Sequence, residues 1–179
     1  QRIPEVDIVT WTTLMSSYMN LGYCVEALYA FQSMREVGLE PTPITISCAL
    51  QTCMKMSALK EGRKIHVYIV ENGLETVVNG SVLIDMYSKC GELRRAEEVF
   101  HCIQVHDVVS WTVLISGYAQ HGWGWEALCC FEDMQNAGIK PTVVTLFCIL
   151  KACGSIKAID KGEELHAQMI RENLLRDNI

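Results

Sequence analysis

The sequence repeats itself at a spacing of 100 residues. Between residues 8 and 42, 15 of 35 positions are identical to the positions 100 residues farther along the chain. The first copy contains WTTLMSSYMNLGYCVEALYAFQSMREVGLEPT, and the second contains WTVLISGYAQHGWGWEALCCFEDMQNAGIKPT. Agreement at a fixed spacing is typical of repeat proteins, in which each unit buries its apolar face against its neighbours instead of sharing one central core.

The 100-residue period contains three related units of unequal length. LIDMYSKCGELRRAEEVF matches LISGYAQHGWGWEALCCF at a shift of 31 residues, and CALQTCMKMSALKEGRKIHVYIVENGL recurs as CILKACGSIKAIDKGEELHAQMIRENL. These matches divide the chain into unit 1 (8–42), unit 2 (43–76), unit 3 (77–107), unit 4 (108–142) and unit 5 (143–177). Residues 1–7 are interpreted as the tail of a preceding unit, so the chain is expected to be part of a longer array.

Each unit is predicted to be an antiparallel pair of helices, called helix A and helix B. In unit 1, apolar residues recur every three or four positions over about 9–20 and 25–37, which predicts two amphipathic helices. Gly38 and Pro41 predict the end of helix B, and in unit 3 helix A is expected near residues 80–89. Since such short hairpins are unstable alone, the predicted fold is an all-α solenoid of helix-turn-helix repeats.

Composition excludes some classes of protein and argues against others. Half of the residues are hydrophobic, which argues against a disordered chain, yet no apolar run is long enough to span a membrane. The net charge of −6 argues mildly against a protein that binds nucleic-acid phosphates without sequence selectivity. It does not exclude a concave surface that binds bases.

No signature of catalysis or of a metal site is found, and no cofactor is expected. The chain lacks a P-loop, a GxSxG motif and the HxE…PCxxC pattern of zinc deaminases. His66 and His166 are copies of one place in the repeat, which favours a structural role. The nine cysteines contain no CxxC pair and fall on apolar helical positions, so reduced, buried thiols are expected.

Three rows of residues at equivalent places of the units form the candidate site. The aliphatic row occupies the second place of each unit: Val9, Ile44, Val78, Val109 and Val144. The fifth-place residues are Thr12, Ser47, Ser81, Thr112 and Phe147. The last-place residues are Thr42, Thr76, Asp107, Thr142 and Asp177.

These rows have two interpretations. If helices A line a concave surface, polar side chains at regular spacing can hydrogen-bond one base edge per unit, while branched aliphatics sandwich the base planes. Alternatively, last-place residues such as Thr42 and Asp107 serve as N-terminal caps of the next helix A. Spacing alone leaves both interpretations open, and the two roles can coexist.

The chain resembles the pentatricopeptide repeat family, in its plant organellar subclass of alternating long, short and standard repeats. The resemblance is carried by VTWTTLMSSY with EALYAFQSMREVGLEPT, by LIDMYSKCGELRRAEEVF, and by the paired ALKEGRKIH and AIDKGEELH. It identifies units 1 and 4 as standard, units 2 and 5 as long and unit 3 as short. It implies a right-handed α-α superhelical solenoid that binds single-stranded RNA, one base per unit, with the RNA running 5′ to 3′ from the N- to the C-terminal unit.

The resemblance also assigns roles to the three rows. In this family the fifth-place and last-place residues of a unit together select the base, and the aliphatic row sandwiches the bases. The Ser81/Asp107 pair resembles a guanine reader, and the Thr/Thr pairs of units 1 and 4 resemble purine readers with weak choice. Long units often lack clear specificity in this subclass, and Phe147 in unit 5 cannot hydrogen-bond.

The function implied by the resemblance is the targeting part of an RNA-editing (C-to-U) or RNA-processing factor of mitochondria or chloroplasts. A cytidine-deaminase-like domain, common in this subclass, is not found in the 179 residues, so an enzyme is not expected here. Long units are implicated in binding small editing cofactor proteins. The alternative is a scaffold for protein–protein interaction, which the acidic balance favours, whereas the residue pairs and the aliphatic row favour RNA.

Overall fold

The computed structural model describes residues 7–171, apart from the side chain of Gln168, and over this range the chain consists of ten α-helices without a strand. The predicted all-α fold is therefore confirmed. In chain order the helices are α1 (Ile8–Leu21), α2 (Cys24–Glu36), α3 (Pro43–Met56), α4 (Leu59–Glu71), α5 (Val77–Lys89), α6 (Leu93–Cys102), α7 (Val108–Gln120), α8 (Gly124–Asn136), α9 (Val143–Ile156) and α10 (Ile159–Arg171). Odd-numbered helices are helices A, and even-numbered helices are helices B.

The helices stack so that the helices A form a continuous inner layer. Cα atoms of consecutive helices A (α1, α3, α5, α7 and α9) approach within 8 Å of each other. Among the described residues, consecutive helices B do not approach so closely, although each packs on its own helix A. Because the spacing is tighter along the helices A, the stack curves with these helices on the concave side.

The apolar core runs along the whole stack. It extends without interruption from Met15 in unit 1 to Met169 in unit 5, and it takes in Ile46, Ile84 and Ile149 from helices A on the way. This layer is what the repeat predicts, since each hairpin buries its apolar face against the next one.

The start of α5 differs from the sequence-based expectation. Helix A of unit 3 was expected to begin near residue 80, but it begins at Val77, directly after the cap residue Thr76. Gly80 is buried inside this helix, and a Cβ there would lie 2.5 Å from Cδ1 of Ile103. This glycine permits close packing and does not mark a turn.

The expectation that the cysteines are buried requires correction. Cys48, Cys53 and Cys130 are buried as expected, but Cys102 in α6 and Cys129 in α8 are exposed. The two tryptophans at the start of α8 lie in different surroundings. Trp123, the cap residue, stacks on Tyr118 with ring centroids 5.9 Å apart, whereas Trp125, inside the helix, is exposed.

Candidate nucleic-acid interface

The aliphatic row is exposed to solvent in every unit. Between 52% and 71% of each of these five side chains is accessible, although all are branched hydrocarbons that gain free energy from burial. They sit at the second position of helices A, on the layer that forms the concave side of the stack. Single exposed aliphatics are ordinary on protein surfaces. Five at the same place of successive repeats form a regular apolar track.

The fifth-place residues lie one helical turn after the aliphatic row. Thr12, Ser47 and Thr112 are half-buried, whereas Ser81 is buried and donates its hydroxyl proton to the Val77 carbonyl at 3.0 Å. Phe147 has 54% of its surface exposed and presents an apolar ring in place of a hydroxyl. Units 1 to 4 therefore offer a hydroxyl beside the apolar track, and unit 5 does not.

Four of the last-place residues are N-terminal caps. Backbone N–H groups donate to the side-chain oxygens of Thr42 (3.2 Å), Thr76 (3.1 Å), Asp107 (2.8 Å) and Thr142 (3.2 Å). The capping interpretation is thus confirmed for Thr42, Asp107 and Thr142, while Asp177 lies outside the described residues. Thr76 was not expected to be a cap and becomes one because α5 begins at Val77. A cap uses one lone pair of its oxygen, so each side chain keeps further hydrogen-bonding capacity for a ligand.

A further set of polar residues, at the third place of units 2 to 5, was missed by the sequence analysis. Thr45, Asn79, Ser110 and Thr145 are almost completely buried, each three residues after a last-place cap. Burial of a polar side chain is favourable only when it is hydrogen-bonded, so these residues must have partners. The signal was present in the sequence as a short polar residue three positions after each cap, which is the spacing of a capping box.

The third-place threonines bring the two predicted base-selecting residues of a unit together. Thr45 Oγ1 lies 3.0 Å from Thr12 Oγ1 and 2.8 Å from Thr42 Oγ1. In unit 4, Thr145 Oγ1 lies 2.7 Å from Thr112 Oγ1 and 2.9 Å from Thr142 Oγ1. The predicted pairs of units 1 and 4 are therefore each joined through one buried hydroxyl.

Unit 3 has a different arrangement. Asp107 Oδ1 accepts from the Ser110 N–H at 2.8 Å, and the Ser110 hydroxyl bonds to the Asp107 backbone instead of to Ser81. Over the described chain, no hydrogen bond engages the second carboxylate oxygen, Oδ2. Burial lowers the pKa of the adjacent His106, which stacks on Phe100 with ring centroids 4.1 Å apart. Because a neutral imidazole carries no positive charge, His106 does not neutralise the negative charge of Asp107.

A recess of about 600 Å³ lies on the concave side where units 2, 3 and 4 meet. Ser81 and Val109 face it from neighbouring units, together with Lys55 and Lys89. Lys89 Nζ is 2.7 Å from Asp85 Oδ2, and Lys55 Nζ donates to the Met19 carbonyl at 3.0 Å. The recess therefore combines apolar walls, a hydroxyl, the cation of Lys55 and the cation of Lys89, which Asp85 partly neutralises. This combination suits a polar ring attached to an anionic backbone.

Other classes of site are not found in the described part of the chain. Over residues 7–171, no three His, Cys, Asp or Glu side chains are close enough together to hold a metal ion. None of the ten helices is long and apolar enough to cross a membrane. The Nδ1 of His66 is 2.9 Å from the Tyr87 hydroxyl, so this side chain is occupied within the fold.

Comparison with known proteins gives consistent matches. The family described as "PPR repeat family" matches residues 6–55 and 106–155, again 100 residues apart, and the family described as "PPR repeat" matches residues 81–108. Two curated relatives from Arabidopsis thaliana illustrate the similarity. A mitochondrial pentatricopeptide repeat-containing protein is 40% identical over 172 residues, covering 94% of this chain and 22% of the relative. The chloroplastic pentatricopeptide repeat-containing protein CRR2 is 34% identical over 180 residues, covering 99% of this chain and 27% of the relative.

A solved structure shows the same fold. The crystal structure of the pentatricopeptide repeat protein PPR10 in complex with an 18-nt psaJ RNA element matches with a TM-score of 0.78 and 25% identity, covering 94% of this chain and 26% of that chain. The chain thus spans only about a quarter of the length of the proteins that it matches. Because the family matches take up more than half of the chain and recur at its own period, this chain belongs to the pentatricopeptide repeat (PPR) family.

Proposed function

We propose that this chain binds single-stranded RNA and selects it by sequence, one base per repeat. The observation that carries the proposal is the exposed aliphatic row on the concave layer, with a polar pair beside it in each of units 1 to 4. Apolar side chains at regular spacing offer stacking surfaces to base planes, and the polar pairs offer hydrogen bonds to base edges. The description of PPR10 in complex with an RNA element supports the same ligand class.

The proposed repeats are units 1 to 5 with the boundaries derived from the sequence. A base would lie between successive aliphatics, for example Val78 and Val109, with its edge toward Ser81 and Asp107. The Asp107 carboxylate has Oδ2 available after Oδ1 has accepted the cap bond from Ser110. A carboxylate accepts from the adjacent N1–H and N2–H₂ donors of guanine, so guanine is the expected base of unit 3.

The cellular role that fits best is target selection for RNA editing (C-to-U) or RNA processing in mitochondria or chloroplasts. Relatives of this chain are described as mitochondrial or chloroplastic, which supports an organellar location. In this role the 179 residues would select the RNA target and would not catalyse a reaction. The long units 2 and 5 are the proposed contacts for small editing cofactor proteins.

Replacement of Asp107 by Asn tests the proposal. The chain would be titrated at fixed salt against four short single-stranded RNAs that differ only in the base opposite unit 3. The wild-type chain is expected to prefer guanine, and Asp107→Asn is expected to reduce this preference by at least about tenfold, since a charge-assisted hydrogen bond is lost. Adenine should become the better base, because an amide N–H can donate to its N1.

Asp133→Asn is the matched control, because Asp133 is an exposed residue of α8 on the helix B side. It makes the same change of charge and should leave the base preference at unit 3 unchanged. Equal binding of all four RNAs by the wild-type chain would contradict base selection. It would then favour the second candidate function, a protein-interaction scaffold, which is motivated by the net charge of −6.

A further inference from the structure

We propose that the buried threonines Thr45 and Thr145 determine which purine their units select, so that identical Thr/Thr pairs prefer guanine in unit 1 and adenine in unit 4. The inference rests on the proposed function, because it concerns how the base-selecting pairs work. It follows from the number of hydrogen bonds that a hydroxyl can make. Each threonine hydroxyl has one proton to donate and two lone pairs that can accept.

In unit 1 the donor and the acceptor of each hydroxyl hydrogen bond can be assigned. Thr12 donates its only proton to the Ile8 carbonyl at 2.7 Å, so it accepts the proton of Thr45 across the 3.0 Å contact. Thr45 has then no proton left, and its 2.8 Å contact with Thr42 must be a donation from Thr42. Thr42 also accepts the Thr45 backbone N–H at 3.2 Å.

The pair in unit 1 is therefore left with acceptors only. Thr12 has used its proton and one lone pair, and Thr42 has used its proton and one lone pair. Each hydroxyl keeps one lone pair for a ligand. A base that presents two donors side by side satisfies both.

Unit 4 has the same three threonines but a different set of bonds. Thr145 Oγ1 accepts the backbone N–H of Thr142 at 3.1 Å, which leaves it one lone pair and one proton for its two hydroxyl neighbours. It must therefore donate to one of Thr112 and Thr142 and accept from the other. Among the described residues, Thr112 Oγ1 has no hydrogen bond to a backbone carbonyl that would consume its proton. In either arrangement, the hydroxyl of Thr112 or of Thr142 has a proton that is not donated within the protein and is available to a ligand.

The two pairs thus present different patterns to a purine. Guanine presents two neighbouring donors, N1–H and N2–H₂, which match the two acceptors of Thr12 and Thr42. Adenine presents an acceptor at N1 beside a donor at N6, which matches the donor and acceptor kept by Thr112 and Thr142 and uses both groups of this edge. Guanine can offer its O6 acceptor and N1–H donor to the same pair, but its N2–H₂ is then left without a partner. A mismatch leaves a partly buried polar group without a partner, and its cost exceeds the gain from an ordinary hydrogen bond.

The test compares adenine with guanine opposite unit 1 and, separately, opposite unit 4, in RNAs that keep guanine opposite unit 3. Binding of the chain is measured at fixed salt by fluorescence anisotropy. We expect guanine to be preferred roughly fivefold at unit 1 and adenine roughly fivefold at unit 4, which corresponds to one neutral hydrogen bond. This comparison uses the wild-type chain alone and does not depend on how a variant folds.

Thr45→Val then tests the mechanism. Valine keeps the shape of this buried side chain, and the cap bond from its backbone N–H to Thr42 remains. Without the Thr45 hydroxyl, the proton of Thr42 is released, so the pair in unit 1 acquires the donor and acceptor pattern of unit 4. The preference at unit 1 should change from guanine to adenine, while unit 4 in the same molecule serves as the internal control. Thr45→Ser should restore guanine.

The outcomes separate this inference from the proposed function. If units 1 and 4 prefer the same purine, or if Thr45→Val leaves the preference at unit 1 unchanged, while unit 3 still selects guanine, the inference is wrong and the proposed function stands. If none of units 1, 3 and 4 distinguishes bases, both are wrong. Opposite preferences in the wild-type chain, with reversal at unit 1 by valine and restoration by serine, support both.

Discussion

Single residues of the aliphatic row are exposed and can be changed with little effect on the fold. Val78→Ala and Val109→Ala remove apolar surface on both sides of the proposed base of unit 3. Each is expected to weaken RNA binding about fivefold, equally for all four bases, since stacking does not depend on the hydrogen-bonding edge. Thermal unfolding should be nearly unchanged. Val67→Ala, an equally exposed valine on α4, is the control, and a similar loss with that variant would contradict a role of the row.

His66 is a single residue that should make the stability of the chain depend on pH. Burial lowers its pKa, with smaller effects from Glu75, which raises it, and Arg95, which lowers it. The folded chain therefore favours the neutral imidazole, and on acidification the unfolded chain takes up a proton first. The free energy of unfolding should fall as the pH falls through about 6.5, the ordinary pKa of histidine, and this loss should stop below the lowered pKa of the folded state.

Urea unfolding at pH 7.5 and 5.5 measures this effect. His66→Gln removes the titrating group and should reduce the loss of stability between the two pH values. His166→Gln changes the equivalent residue of unit 5, which is exposed, and should behave like the wild-type chain. The same pH dependence in all three proteins would show that His66 is not responsible.

At the scale of the helix, helix A of both long units is followed by a residue in an unfavourable backbone conformation. Ser57 and Lys157 follow α3 and α9 with φ angles of 52° and 58°, in the left-handed region that glycine adopts at the end of α1. Ser57→Gly and Lys157→Gly should each raise the free energy of unfolding by about 0.5–1 kcal/mol, because the steric cost of a Cβ is removed. Urea titrations measure the change.

The reverse substitution provides the comparison. Gly22 has a φ of 86° and no heavy atom within 4 Å of the place where a Cβ would be, so Gly22→Ala tests backbone strain without a steric clash from the surroundings. It should destabilise the chain by about 1 kcal/mol. A neutral effect of all three substitutions would argue that the helix ends relax at no cost.

At the scale of the whole molecule, units interact mainly with their nearest neighbours, so damage should stay local. Phe131→Ala opens a cavity at a fully buried place of unit 4 and should cost about 3–5 kcal/mol. Hydrogen exchange is expected to accelerate in units 3 to 5 and to change little in α1 and α2. Met34→Ala should give the mirror-image pattern, with faster exchange in units 1 and 2. Uniform acceleration along the chain in either variant would indicate one cooperative core.

Much of the helical organisation could be predicted because a repeat presents the same pattern of apolar residues several times along the chain. The 100-residue period and the 3.6-residue spacing of apolar residues located ten helices, since every hairpin needs an apolar face at the same places. The start of helix A in unit 3 was predicted wrongly: it was expected near residue 80, but α5 begins at Val77 and Gly80 lies inside it. A glycine in sequence looks the same whether it relieves a positive φ or allows a neighbour such as Ile103 to pack closely, and only the folded chain distinguishes the two.

The sequence by itself determined the repeat, the all-α fold and the places of the three rows, because these depend on spacing along one chain. The tertiary structure decided which residues face each other across units. It showed that the aliphatic row is exposed, and that Thr45 joins Thr12 to Thr42 and Thr145 joins Thr112 to Thr142, the proposed base-selecting pairs of units 1 and 4. Ser110 does not join Ser81 to Asp107 in this way. Hydrogen bonds between residues 33 positions apart depend on ångström-scale packing of two helices, which no pattern along the sequence records.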